Sequence, residues 1–265
     1  NAYGHGLIPV AKKLESIGCP YFGLAYLEEG LSLRREGIKT PILIMGGMIG
    51  SQIPLFIQND LTITASSVDK LQAIEAASKQ LGIKAKAHLK IDTGMERIGV
   101  HHYSATRLLE ESLRCEHVHI EGIFSHFANA DSLDLTDAKK QLSRFESVLK
   151  FYEERGITPP IRHMANSGAL LQLPESHLDM VRPGLLLYGC FPNMQLKSNL
   201  LLSTAMRWIS RVVYFKVIEK NAAVSYGSTW RAPSQTRLVT VPVGYGDGYM
   251  RRMSNRAHLL INGQR

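Results

Sequence analysis

Residues able to perform acid–base or ionic chemistry collect at the end of one apolar run in the first half of the sequence. Alternation along Ala85–Asp92 places His88, Lys90 and Asp92 on one face of a strand, which we expect to point inward, and Arg97 follows shortly afterwards. An interior lysine beside an arginine is a costly like-charge pair. Either Asp92 neutralises Lys90, or a modification of Lys90 reverses its charge.

Further polar residues follow the next two apolar runs. His126 comes directly after the run 118–125, where ring stacking, proton relay and a purely structural role are all open. After the run 161–166, the neighbours Asn166 and Ser167 stand at a predicted strand-to-helix junction. Their side chains could present hydrogen-bond donors to an anion, although helix N-capping explains Ser167 equally well.

A proline and a glycine end the last of these runs, 178–182. Arg182 is its final residue, Pro183 has no N–H for a strand ladder, and Gly184 lets backbone amides approach a ligand closely. In parallel (β/α) barrels, phosphate sites are commonly formed by the late strand-to-helix loops. Together with Asn166 and Ser167, this segment can form a phosphate site.

One tyrosine far along the chain stands between small polar residues. Tyr226 lies in the segment 225–230, SYGSTW, which is an unusual setting for a core residue. Both a packing or hydrogen-bonding role and a chemical one are open. The segment 243–249 is rich in glycine but lacks the Gly-Lys-Ser/Thr ending of a phosphate loop, so it is weak evidence by itself.

The elements that must position these residues alternate as strand and helix. Short apolar runs lie at 21–26, 41–45, 61–65, 85–92, 118–125, 161–166 and 178–182. Helical patterns lie between them, at Leu7–Ser16, Leu27–Arg35, Val68–Leu81, 103–113 and 136–154. This order predicts an α/β protein with a parallel sheet. Seven strands are one short of a (β/α)8 TIM-type barrel, so we expect strand one upstream of Asn1.

The pattern changes near residue 195, which predicts a barrel domain at 1–195 and a mainly β domain at 196–265. The runs 205–217, 236–243 and 258–261 are rich in β-forming residues, without a long helical pattern between them. Asn262-Gly263 is a strong hairpin signal. Only two residues follow it, so we expect the β domain to be incomplete and the sequence to be cut at both ends.

Composition excludes several classes of protein. The 265 residues are 45% hydrophobic and 20% charged, which indicates a globular chain with a large core. Three cysteines without CxxC spacing give neither a metal knuckle nor a disulfide framework. The net charge of +8 is scattered rather than gathered into a basic run with aromatics, so nucleic-acid binding is disfavoured. No apolar run is long enough to span a membrane.

These motifs, in this order and spacing, resemble the bacterial alanine racemase family, whose members are fold-type III pyridoxal-phosphate enzymes. The resemblance covers essentially the whole chain. It depends on residues 1–6 (NAYGHG), 90–99 (KIDTGMERIG), 125–131 (SHFANAD), 163–167 (HMANS), 181–184 (VRPG), 188–189 (YG), 225–227 (SYG) and 244–248 (GYGDG).

The resemblance implies pyridoxal 5′-phosphate as cofactor, no metal, and a role for each matching residue. The cofactor's phosphate would be bound by Tyr3, Ser167, Gly184 and Leu185, with Asn166 beside them. The cofactor's ring would meet His126 on one side and Arg182 at its nitrogen, supported by His163. Arg97 would hold the substrate carboxylate beside Lys90, a lysine that is carbamylated in many members. Tyr245 and Arg251 would screen substrates in the entry channel.

The implied reaction is the interconversion of L- and D-alanine by two bases, one on each face of the substrate. Tyr226 matches the catalytic tyrosine, which in this family enters the partner subunit's site in a homodimer. A tyrosine is a poor base at neutral pH unless neighbours lower its pKa, and His126 and Arg182 are candidates for this. The other base, the Schiff-base lysine, is expected two residues upstream of Asn1. The product would supply peptidoglycan synthesis in the cytoplasm.

Two alternatives remain. A racemase of broader substrate range would share every motif, because the channel residues decide specificity. A non-catalytic pyridoxal-phosphate-binding barrel usually lacks the β domain, so residues 196–265 argue against it. Decarboxylases of this fold use a different C-terminal motif, with cysteine and aspartate, that we do not find here.

Overall fold

A computed structural model describes residues 1–196 and 198–265 of the chain. The chain separates into two compact units, Asn1–Met206 and Arg207–Arg265. None of the helices in these described ranges is both long and apolar enough to cross a membrane.

The first unit is built on a parallel sheet. Six strands neighbour one another in the order β1-β2-β3-β4-β6-β7, and the short β5 pairs with the end of β4. The strands are β1 (Phe22–Leu24), β2 (Ile42–Ile44), β3 (Thr62–Ala65), β4 (Ala85–Asp92), β5 (Val100–His101), β6 (Val118–Phe124) and β7 (Ile161–His163). Because parallel strands end at the same edge, the residues after β4, β6 and β7 meet there.

Helices connect the strands and cover the sheet. They are α1 (Leu7–Ser16), α2 (Leu27–Arg35), α3 (Ile53–Gln58), α4 (Val68–Leu81), α5 (Thr106–Arg114), α6 (Thr136–Glu153) and α7 (Ser167–Gln172). In α4 the Ser67 hydroxyl accepts from Lys70 N, and Gly82 ends the helix at a left-handed φ of 65°. The apolar faces of the helices join Leu89, Ile91 and Ile123 of the sheet in one core.

The structure corrects one expectation for this unit and adds two elements that the sequence did not predict. The run 178–182 forms no extended strand in the described chain: its one bridge joins Met180 to His163. Backbone hydrogen bonds from Asp179 N to the Arg162 carbonyl and from Arg182 N to the Ala165 carbonyl flank this bridge. Leu178 has a left-handed φ of 49° and Pro183 has no N–H to donate, so regular pairing stops at both ends of the run. The sequence also did not predict α3, which is short and almost wholly apolar, or β5, which has two residues.

The second unit is mainly β, as the sequence predicts, but its strands are shorter. Antiparallel pairs join β8 (Tyr214–Ile218) to β11 (Thr236–Thr240), and β9 (Ala223–Val224) to β10 (Trp230–Arg231). The predicted hairpin signal forms a tight turn, with φ positive at both Asn262 and Gly263. Ile261 and Gln264 exchange backbone hydrogen bonds across it.

Candidate active site

Arg182 lies at the centre of the polar residues that the strand ends bring together. Its Nη1 is 2.5 Å from Nδ1 of His163. Its Nη2 donates to the carbonyl oxygens of Ser125 at 2.7 Å and Met164 at 3.2 Å, and lies 3.3 Å from Nδ1 of His126. The Nε atom is buried and has no hydrogen-bond partner among the described residues. The guanidinium is thus fixed by four neighbours while one N–H stays available.

The histidine rings that contact Arg182 are uncharged at physiological pH. Burial lowers the pKa of His126 to about 3, with the Arg182 charge as the second cause. Burial and the same charge also hold the pKa of His163 well below its usual value. Burial lowers the pKa of Arg182 itself to about 9, so the arginine keeps its proton at pH 7. The cluster therefore has one cation and neutral imidazoles as its acceptors.

Lys90 is buried in β4 with little to stabilise its charge. Nζ donates to the Ile91 carbonyl at 3.2 Å and lies 5.0 Å from the centre of the Phe124 ring. Burial lowers the pKa of Lys90 to about 7, and the charges of Arg182 and, less strongly, Arg97 act in the same direction. Near neutral pH, Lys90 is therefore present as the uncharged amine in a large fraction of the molecules.

Asp92 organises the loop after β4 and is not a close partner of Lys90. Oδ1 accepts from the backbone N–H groups of Gly94, Met95 and Glu96, and Oδ2 accepts from that of Arg97. Burial works to raise the pKa of Asp92, but the N–H groups of Gly94, Glu96 and Met95, together with the charge of Lys90, outweigh it and lower the pKa. No ion pair links Asp92 to Lys90 in the part of the chain that the structure describes.

Helix α6 supplies two residues that the sequence analysis did not identify. Gln141 is buried; its Oε1 accepts from Ala128 N at 3.0 Å and its Nε2 donates to the His126 carbonyl at 3.2 Å. Arg144 donates to the Thr93 carbonyl at 2.8 Å. These contacts join the loops after β4 and β6. A glutamine in the buried stripe of an amphipathic helix was the available signal.

A second group of polar atoms lies around Ser167. Its hydroxyl accepts from Gly184 N at 2.9 Å and from Leu186 N at 3.4 Å. A Cβ at Gly184 would lie 2.5 Å from the Tyr3 hydroxyl, so a side chain there would displace the end of the tyrosine. Ser167, Gly184 and Tyr3 thus surround one position, with Leu185 next along the chain in the short helix Leu185–Tyr188.

Asn166 has the capping role that the sequence analysis offered for Ser167. It is the N-cap of α7, and its Oδ1 accepts from Ala169 N at 3.1 Å. Its Nδ2 donates to the Phe127 carbonyl at 3.4 Å. The capping explanation of Ser167 is therefore wrong, because its neighbour caps the helix and leaves the Ser167 hydroxyl to the Gly184 segment.

The remaining candidate residues are exposed. Arg97 is on the surface of the loop after β4. In the second unit, Tyr226, Tyr245 and Arg251 each begin a one-turn 3₁₀ helix, and the two tyrosines are 87% and 76% exposed. Within residues 1–196 and 198–265, no three His, Cys, Asp or Glu side chains are grouped so as to hold a metal ion.

Comparisons with known proteins agree on one family. The family described as "Alanine racemase, N-terminal domain" matches residues 1–192, and "Alanine racemase, C-terminal domain" matches residues 205–265. The curated alanine racemase of Desulfovibrio desulfuricans is 41% identical over 265 residues, which are 100% of this chain and 71% of that protein.

Solved structures give the same result. Alanine racemase from Streptomyces lavendulae has a TM-score of 0.88 and 34% identity, covering 100% of this chain and 70% of that one. A histidine racemase from Leuconostoc mesenteroides has a TM-score of 0.82 and 29% identity, covering 94% of this chain and 67% of that one. The chain spans between 65% and 70% of the length of solved racemases that it matches. By its matched domains, its relatives and its fold, the chain belongs to the alanine racemase family.

Proposed function

We propose that the protein interconverts L-alanine and D-alanine with pyridoxal 5′-phosphate as cofactor. The observation that supports this most is the Arg182 cluster, in which a fixed cation keeps one buried N–H unpaired. Its neighbours, a neutral histidine and a lysine of lowered pKa, are the residue types that match the family's cofactor site.

The residues present fit this cofactor. The unpaired Nε–H of Arg182 is a donor suited to a pyridine nitrogen, and a buried donor without an acceptor is costly unless a ligand supplies one. The Ser167 hydroxyl, the Tyr3 hydroxyl and the backbone beside Gly184 form a small polar group suited to a phosphate, and a side chain at residue 184 would push the Tyr3 hydroxyl away from it. We assign His126 to one side of the ring.

Pyridoxal phosphate, when bound, weakens the bond between the substrate's α-carbon and its hydrogen by withdrawing electrons. Arg182 keeps its proton at pH 7, so it would donate a hydrogen bond to the nitrogen of the cofactor's ring without giving up the proton. An arginine at this position, in place of an acidic residue that could protonate the ring, would limit how strongly the ring withdraws electrons from the substrate. It would thereby disfavour side reactions such as transamination. Arg97 would orient the substrate through its carboxylate.

Two proton-transfer groups are needed, one on each face of the α-carbon. We assign one to the Tyr226 phenol, contributed by the partner subunit of a homodimer, since in one chain it is exposed on a turn. The other is the lysine that the family has two residues before the position of Asn1. A carbamate on Lys90 would place an anion near Arg97 and fix its guanidinium, and the uncharged amine favoured by burial is the form that reacts with carbon dioxide.

A racemase of broader specificity is the second candidate. A fold neighbour with 29% identity is named a histidine racemase, so this scaffold accommodates other side chains. Tyr245 and Arg251, which we assign to the substrate channel, would decide between alanine and larger amino acids. D-alanine for peptidoglycan, made in the cytoplasm, is the biological role we propose.

The test is an assay of both directions on the intact protein, with alanine, serine, lysine and histidine as substrates. We expect alanine to have the highest kcat/KM. Tyr226→Phe should lower racemisation by at least ~100-fold, because it removes one of two proton-transfer groups. Exchange of the α-hydrogen with solvent deuterium should then persist for one enantiomer only.

Tyr214→Phe is the matched control, since Tyr214 is an exposed tyrosine of the same unit outside the site. It should leave racemisation unchanged. Normal racemisation in both directions by Tyr226→Phe would contradict the assignment of Tyr226, and no alanine turnover by the unsubstituted protein would contradict the proposed function.

A further inference from the structure

A third histidine lies behind the Arg182 cluster and has no part in the proposed mechanism. His88 is fully buried in β4, and its Nδ1 lies 2.8 Å from Nε2 of His163, which is also fully buried. The two rings pack edge to face, with their centres 4.9 Å apart. Arg182, His163 and His88 therefore form a continuous line of hydrogen bonds that runs from the site into the interior of the sheet.

The direction of each hydrogen bond in this line is determined. A guanidinium can only donate, so His163 must accept from Arg182 at Nδ1. If His163 is neutral, its single proton is then on Nε2 and is donated to Nδ1 of His88. His88 in turn has its proton on Nε2. Burial lowers the pKa of His88 to about 3 and that of His163 well below its usual value, so both rings are neutral.

His88 is in an unfavourable position, which argues against a purely structural role. Its Nε2 is buried and has no partner among the described residues, and such an unsatisfied donor normally costs stability. Gly122 on the neighbouring strand makes room for the ring, because a Cβ there would lie 2.5 Å from Nδ1 of His88. An apolar side chain would fill this space without leaving a donor unpaired.

We propose that His88 is a positioning residue for Arg182, which acts by selecting the tautomer of His163. The lone pair on Nδ1 of His88 accepts the proton of His163 Nε2, which leaves the lone pair of His163 Nδ1 for Arg182. Without that acceptor, His163 is free to shift its proton to Nδ1 or to turn its ring, and Arg182 loses its closest partner. The orientation of the Arg182 Nε–H then becomes less defined. The importance of this for catalysis rests on the proposed function; the tautomers do not.

The first experiment needs no substitution. Two-bond ¹⁵N–¹H spectra of the intact protein with ¹⁵N-labelled histidine report which nitrogen of each ring is protonated, and they are recorded with and without added pyridoxal phosphate. We expect His163 and His88 both to be protonated on Nε2. A proton on Nδ1 of His163 in the unsubstituted protein would overturn the proposal.

The second experiment compares His88→Leu with His88→Asn. Asn places its Oδ1 close to where Nδ1 of histidine lies and keeps the acceptor, whereas Leu removes it at similar volume. We expect His88→Leu to lower kcat by roughly tenfold with little change in KM, because a buried donor loses its partner. His88→Asn should stay within about twofold of the unsubstituted protein.

A merely structural role would lower thermal stability in both variants and would leave the His163 tautomer as it was. Equal losses of kcat in the two variants, or an unchanged His163 spectrum in His88→Leu, would therefore overturn the proposal. If His88→Leu does not fold, the spectra of the unsubstituted protein and the kcat of His88→Asn decide. The spectra also separate this proposal from the proposed function, since they do not depend on alanine being the substrate.

Discussion

Arg182 in the first unit and Arg251 in the second are both assigned to the same reaction, but they are positioned by different means. Arg182 makes hydrogen bonds to two histidine rings and two backbone carbonyls. Arg251 is exposed at the start of a 3₁₀ turn. The first residue is fixed by its own chain. The second has little in its own unit to fix its side chain, so its role requires a surface that this unit does not supply.

The same contrast holds for most of the other candidate residues, although Tyr3 and Arg97 of the first unit are exposed as well. Lys90, His163 and Ser167 are buried at strand or helix ends of the first unit. Tyr226 and Tyr245 stand on turns, and the turn before Tyr226 depends on a left-handed φ of 60° at Ser225. Turns of this kind determine the backbone position of a tyrosine but not the position of its phenol group. The exposure of these second-unit residues is what the proposed homodimer would require of side chains that meet a partner subunit.

The strongest test of this comparison replaces each of the two arginines by leucine, in two separate variants. Arg182→Leu leaves the His163 ring and the Ser125 and Met164 carbonyls without their donor. We expect it to lower the free energy of unfolding by about 3 kcal/mol, because a buried hydrogen-bond network is broken. Arg251→Leu should cause no resolvable change. Urea unfolding followed by circular dichroism measures both.

Arg182→Lys is the matched control for charge. A lysine keeps the cation but lacks the planar group of donors that reaches several acceptors at once. We therefore expect Arg182→Lys to lower the free energy of unfolding by an amount between those of the two leucine variants. Equal losses for Arg182→Leu and Arg251→Leu would show that burial in the first unit does not distinguish the two residues.

A smaller effect concerns Lys90 and pH. Its folded pKa of about 7 lies below its usual 10.5, so between these values the unfolded chain binds more protons than the folded one. Stability should therefore rise with pH in this window, by about 2 kcal/mol between pH 7 and 9, and Lys90→Met should lack this gain. Unfolding free energies at both pH values, in buffer free of carbon dioxide, provide the measurement.

Parallel pH dependence in Lys90→Met and the unsubstituted protein would refute this prediction. Bicarbonate then extends the experiment, because a carbamylated Lys90 no longer titrates as an amine and the gain should shrink. A ¹³C resonance from labelled bicarbonate that is absent in Lys90→Met would identify the carbamate.

Most of the fold of the first unit could be predicted because its signals are local. The helices Leu7–Ser16, Leu27–Arg35 and Val68–Leu81 have the bounds that their periodicity and flanking residues predict. The failures have physical reasons as well. The apolar run 178–182 does lie along β7, with Asp179 N and Arg182 N donating to the Arg162 and Ala165 carbonyls. The left-handed Leu178 at one end and Pro183 after the other leave a single bridge instead of a strand.

The sequence indicated several of the polar residues that the strand ends bring together, but not the connections between them. Alternation along β4 is enough to place His88 and Lys90 inward, since it depends only on neighbouring positions. The bond from His88 to His163 joins residues 75 positions apart, and that from Gln141 to the His126 carbonyl comes from another helix. Such pairings depend on how strands and helices pack, which a single sequence does not specify.

The smallest effect that we predict distinguishes capping from phosphate binding at the neighbours Asn166 and Ser167. Asn166→Ala removes the acceptor for Ala169 N and should lower the free energy of unfolding by about 1 kcal/mol, whereas Asn166→Asp keeps the cap and should lose little. Ser167→Ala should instead weaken the binding of pyridoxal phosphate, measured by its absorbance in a titration of the protein, because the hydroxyl that orders Gly184 and faces the proposed phosphate is gone. If Asn166→Ala weakened cofactor binding as much as Ser167→Ala, the two roles would not be separate, and the phosphate site would depend on the helix end as a whole rather than on the Ser167 hydroxyl.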